Sequence, residues 1–180
     1  MESMAQKYRA FSGDPNGSRL YRGLLSLSSK YPLHLDYCLI SFNDVDLACY
    51  QAMPIISPEL NLKELSAFKT KDFIVQVHGD VVLMTLKERL RAPELVDDEG
   101  RHFRVRHRDG FTEVLNANQL GLFTKVRSCL DHGLKYFYID VMKDAGKFTR
   151  MYRSILAGKA FDDRRIRKGY TTGHMLRGVA

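Results

Sequence analysis

The chain has no tryptophan, only five prolines and only three cysteines in 180 residues. Cys38, Cys49 and Cys129 are odd in number and widely spaced, which argues against a disulfide framework and suits reduced thiols in a cytoplasmic protein. No CxxC, HExxH or HxH occurs, so the common zinc spacings are missing and neither a metal nor a cofactor is expected. A nucleophile elbow (GxSxG) and a phosphate-binding loop (GxxxxGK) are missing as well. No window reaches the ~18 apolar residues that a spanning helix needs. The polar start, MESMAQKYRAF, has no apolar export core, so no membrane partner is expected.

What is present is ordinary in bulk and uneven in charge. An apolar content of 44% with 27% charged residues suits one globular domain with a sizeable core. Residues 143–180 hold ten Lys/Arg against three Asp, whereas residues 1–142 hold eighteen of each sign. The whole formal charge of +7 therefore resides in the C-terminal part. Such a patch can attract RNA, DNA or an acidic partner; a solvated helix face and tail is the plainer reading.

The order of elements points to an α/β fold. Residues 1–17 are polar and turn-rich, expected to be loosely held, and Leu20, Leu24, Leu25 and Leu27 mark an amphipathic helix over 18–30. Strands are expected at Leu33–Ile40, Pro54–Ser57, Phe73–His78 and Leu134–Val141. Helices are expected from the Asn43 cap to about Gln51, at Leu62–Phe68, at Asn118–Leu130, and at Ala145–Leu156 with Phe148, Met151, Tyr152 and Ile155 on one face. Turn signals at Asp97–Gly100 and Arg108–Gly110 flank His102–His107 and predict a β-hairpin inserted at about 91–116. A basic tail covers about 159–180. Alternation of this kind implies parallel strands with right-handed crossovers, as in half of an eight-fold barrel or a small open sandwich.

Five phrases in this order carry a resemblance. They are Ser57-Pro58-Glu59-Leu60, His78-Gly79 followed by Leu83-Met84-Thr85, the acidic turn and hairpin running to Val114-Leu115-Asn116, Tyr152-Arg153, and the closing Tyr170-Thr171-Thr172-Gly173-His174. Over residues 18–180 the chain resembles the later half of the barrel of the collagenase-like peptidases, peptidase family U-thirty-two. The resemblance implies a partial (β/α) barrel-like parallel sheet of about four βα units with an inserted hairpin. It also implies a hydrolase of peptidase type, or a relative of the iron–sulfur members that look suited to RNA modification. Residues that carry over are Glu59, His78, Gly79, Asn116 and Arg153. The cysteine cluster that such members place after the His-Gly strand has no counterpart in residues 80–108.

Glu59, His78 and Asp140 fall at strand ends and are the candidate catalytic residues, since one rim of a parallel sheet is where acids and bases converge. Glu59 fits also as a helix cap, His78 as a satisfied half-buried histidine, and Asp140 as a partner of Lys143 or a cap of the last helix. Arg153, Arg164, Arg165, Arg167, Lys168 and His174 are the candidates for holding a substrate or nucleic acid. A non-catalytic RNA- or protein-binding module is the alternative function. Four strands make half a barrel, so a homodimer or a separate chain supplying the other half is the expected partner.

Overall fold

The computed structural model describes residues 34–36, 41–50, 52–108, 110–164 and 166–177. The helix expected over 18–30, most of the strand expected over 33–40, and Arg165 lie outside the described residues. In chain order the elements are β1 (His34–Leu35), α1 (Asp44–Cys49), β2 (Met53–Pro54), α2 (Leu62–Ala67), β3 (Ile74–Gly79) and β4 (Val82–Leu86). Then follow β5 (Glu94–Val96), β6 (His102–Arg108), β7 (Phe111–Leu115), β8 (Gln119–Gly121) and a 3₁₀ turn at Phe123–Lys125. The last four are α3 (Val126–Asp131), β9 (Tyr136–Asp140), α4 (Ala145–Leu156) and β10 (Tyr170–Thr171).

Two compact units divide the described chain, one of residues 34–80 and 118–177, the other Val81–Ala117. The first is mixed α/β. β1 pairs with β2 in parallel, Ile55 bridges Ile74 in parallel, and β3 pairs with β9 in parallel over most of its length. They fall within or beside the four strands the sequence predicts, although β2 is Met53–Pro54 rather than Pro54–Ser57 and only His34–Leu35 of the first is described as strand. Among the described residues the sheet does not close into a barrel. β8 instead joins the end of β3 antiparallel, at His78–Gly121 and Gly79–Leu120, and β10 joins β8 in parallel.

The short helices begin where the chain supplies caps. Asn43 and Asp46 form a reciprocal capping box on α1, and Asn61 and Glu64 do the same on α2. α4 spans Ala145–Leu156 as its apolar spacing predicts, with Tyr152 and Ile155 buried. Phe73, Val75, Val77, Leu65, Phe123, Val126 and Leu134 fill the core of this unit at 2% exposure or less.

One expected helix is corrected. Asn118–Leu130 is not continuous: residues 119–121 are β8, and helix begins only near Phe123. Leu120, Leu122, Phe123 and Val126 are buried at spacings that also suit a helix, but Phe123 has φ +42, which breaks one. Gly121 lets the rings close in: a Cβ there would stand 2.6 Å from the Phe123 ring and 2.8 Å from the Tyr170 ring.

The insertion is larger than a hairpin. Its sheet has the order β4-β7-β6-β5, antiparallel throughout. The expected strand pair around Gly110 forms, and the apolar run at 82–86 becomes its third strand. Val105 faces Val114 across the β6–β7 pair, and Arg106 faces Glu113, which its Nε reaches at 2.7 Å.

Candidate functional site

His78 lies at the C-terminal end of β3, where a parallel sheet builds its sites, and it is entirely buried. Four rings surround it: Phe148 at 4.1 Å between centroids, Tyr170 at 5.2 Å, Phe123 at 5.6 Å and Tyr152 at 5.7 Å. Phe148 and Tyr152 are one turn apart on the inner face of α4, while Tyr170 comes from β10.

The Tyr152 hydroxyl is the polar hub of this cluster. It donates to the Val77 carbonyl at 3.0 Å, accepts the Phe123 amide at 3.1 Å, and lies 3.3 Å from His78 Nδ1. A phenol has one hydrogen; directed to the Val77 carbonyl, it leaves Nδ1 to donate a hydrogen of its own to the phenol oxygen. This assigns the neutral Nδ1–H tautomer from the hydrogen-bond network. Nε2 then presents a bare lone pair, buried and without a hydrogen-bond partner. Burial disfavours the imidazolium and pushes the His78 pKa down to about 4. Burial also raises the Tyr152 phenol well above its usual value. At neutral pH the pair is uncharged.

Beside His78 the backbones of β3 and β9 meet closely. Gly79 has φ +109, and a Cβ there would lie 1.8 Å from the Asp140 carbonyl oxygen. That carbonyl accepts the Asp80 amide at 3.0 Å. Asp80 is buried; its Oδ1 accepts from Gln119 Nε2 at 2.8 Å, and its carbonyl accepts from Gln76 Nε2 at 2.7 Å. Gln76 Oε1 is buried with no hydrogen-bond partner. Gln76 also lines a recess of about 280 Å³ with Ser57, Leu65, Thr172 and Met175 among its walls.

The three candidate catalytic residues occupy different environments. His78 is caged, and Asp140 is half-buried at the end of the neighbouring strand. Glu59 is exposed in the turn after β2, where its amide donates to Ser57 Oγ at 3.3 Å. Glu59 does not cap α2, because Asn61 does, and Asp144 rather than Asp140 stands at the start of α4. Asn116 belongs to the inserted unit, where its Oδ1 accepts the Ala117 amide. Cys129 is a core thiol, and burial pushes its pKa up to about 11.

No family model, curated protein or solved structure matches this chain. Its chemistry is therefore read from its own residues. Among the described residues no group of three or more His, Cys, Asp or Glu is placed to hold a metal ion. No helix among them is long and apolar enough to cross a membrane.

The candidate binding residues divide in two. Arg164 is clamped by Asp162 through Nε at 2.9 Å and Nη2 at 2.8 Å, and Arg167 leans on Asp163 at 3.8 Å. Lys168 and His174 are exposed. Arg153 is exposed on the outer half of α4 together with Lys147 and Arg150. Sequence reasoning passed over Lys147, Arg150 and the Phe123–Phe148–Tyr170 cage. The i, i+4 pair Phe148/Tyr152 was a visible signal for the cage, but its meaning depends on partners far away in sequence.

Proposed function

We propose that the chain is a non-catalytic RNA-binding module that uses its basic C-terminal third, built on the α/β body of a divergent relative of the collagenase-like peptidases. The observation that carries this reading is the separation of charge from the buried site. The formal excess of +7 lies wholly in residues 143–180, whereas the histidine at the sheet end is neutral and enclosed by four rings. A nucleic-acid backbone repeats negative charge at short intervals whatever its sequence, which suits a surface with many cations. The lack of cysteine in residues 80–108 supports binding over redox chemistry on the RNA. The test is fluorescence anisotropy with a labelled single-stranded RNA over a salt series. Binding that weakens linearly on a log–log plot supports the reading, and no binding at about 50 mM salt, where phosphate contacts are strong, removes it.

A second reading, a peptidase-type hydrolase with Glu59, His78 and Asp140 at the rim, draws support from one feature. His78-Gly79 pairs with Ile139-Asp140 at the C-terminal ends of neighbouring parallel strands. Hydrolysis of gelatin that His78→Ala abolishes while the fold is retained favours this reading; equal turnover by both proteins rejects it. The same reading includes a second copy, or a separate chain, as supplier of further strands. Light scattering that finds a monomer across a dilution series removes that part.

A further inference from the structure

The basic C-terminal third contains two kinds of cation, and they are not equivalent. In the tail, Arg164 and Arg167 already have carboxylate partners, Asp162 and Asp163. Asp163 is itself buried and accepts Thr124 Oγ1 at 2.7 Å, so it is part of the fold and not a free counter-ion. On α4 the situation is reversed. Its twelve residues, AGKFTRMYRSIL, include no acid, and its first turn has none. Lys147, Arg150 and Arg153 are exposed, and among the described residues none of them has an ion-pair partner.

This arrangement goes against the preferences of the helix itself. Like charges three residues apart repel by a few tenths of a kcal/mol per pair. Lys147 also sits in the first turn, where the helix dipole favours an acid. Arg127 Nη1, by contrast, reaches the Ile155 carbonyl at 3.5 Å, at the end of α4 where a cation is locally favourable. Arg153 stands in the last turn, where the helix dipole favours a cation, but Lys147 and Arg150 have no such local reason, and all three present exposed charge to an external anion.

We propose that the outer face of α4, through Lys147, Arg150 and Arg153, is the phosphate-contacting surface, and that Arg164 and Arg167 are structural. The proposal rests on the RNA-binding reading and narrows it to one helix. Successive cations rise about 4.5 Å along the axis, and the side chains are long enough to follow a flexible backbone. Contact through phosphates alone makes the binding indifferent to base sequence and steep in salt.

The test uses the full chain, a labelled 20-nucleotide oligouridine and a scrambled-sequence RNA of equal length, in a salt series. Three proteins are compared: wild type, K147Q/R150Q/R153Q, and R164Q/R167Q. Glutamine keeps helix propensity, and far-UV circular dichroism confirms the fold. The helix variant should flatten the slope of log K against log salt by about 2, at ~0.7 per lost single-strand contact. The tail variant should flatten it by less than half as much, and both RNAs should bind alike. An equal or larger loss from the tail variant overturns the assignment to α4 but leaves RNA binding standing. A wild type with no salt-dependent binding overturns both.

Discussion

The two faces of α4 show how one helix divides its labour. The inner face gives Phe148 and Tyr152 to the ring cluster around His78 and Ile155 to the buried core. The outer face gives Lys147, Arg150 and Arg153 to water, with no acid on the same helix. Burial disfavours charge on the inside, and exposure makes charge inexpensive on the outside, so the two faces answer to different tests. Changes on the inner side should move stability and leave RNA binding to the folded fraction. Changes on the outer side should do the reverse.

The largest effect is expected at the close contact that seats His78. Gly79→Ala puts a methyl 1.8 Å from the Asp140 carbonyl at φ +109, so β3 and β9 must separate. The expected loss is on the order of 4 kcal/mol, read as an early urea midpoint or a failure to fold. A midpoint within error of wild type would show that the strands do not meet as described.

Next comes acid. The His78 pKa is near 4 in the folded chain against an ordinary 6.5, so the unfolded chain binds the proton more readily. The stability that this contributes is fully present above pH 6.5 and is lost as pH falls from there toward 4. The whole term is about 3 kcal/mol for a group with no exposed surface. Urea melts at pH 7 and pH 4.5 of wild type and His78→Gln should show a smaller acid loss in the variant.

Tyr152→Phe is a smaller change of the same kind. It strands the Phe123 amide, the Val77 carbonyl's phenol bond and His78 Nδ1. The expected cost is about 1–3 kcal/mol, measured by urea unfolding; Val77 keeps the Leu122 amide at 3.0 Å, which limits the loss. On the outer side, Arg150→Gln should change stability by less than about 0.5 kcal/mol. A larger loss would mean that the outer face is structural too.

How far the sequence foretold this contrast differs by element. α4 was legible to the residue, because Phe148, Tyr152 and Ile155 recur at helical spacing and nothing interrupts them. The Asn43 cap was legible because capping is local. The run 118–130 was not, since leucines two apart and a phenylalanine serve a short strand and a 3₁₀ turn as well as a helix. Only the ring contacts of Gly121, made with Phe123 and a tyrosine from the tail, decide between them. The apolar stretch at 82–86 was visible, but its pairing with β7 depended on a turn far downstream. His78 was singled out correctly as the histidine at the end of β3. Half-burial was among its readings, but its complete enclosure was not legible, because Tyr152, 74 residues away, supplies the partner. The tail cluster drew attention by charge density alone, and density says nothing about the aspartates that hold Arg164 and Arg167.

The division between a neutral interior and a charged exterior is tested most directly at the His78 ring. Long-range ¹⁵N–¹H correlation spectra of the imidazoles, followed from pH 8 to pH 4, report the tautomer and the pKa together. The enclosed ring and its contact with the Tyr152 phenol predict a neutral Nδ1–H ring that shows no midpoint near pH 6.5 and is half protonated only near pH 4. A His78 that titrates near 6.5, or one found as the Nε2–H tautomer, would contradict the buried network and return this histidine to the candidates for acid–base catalysis.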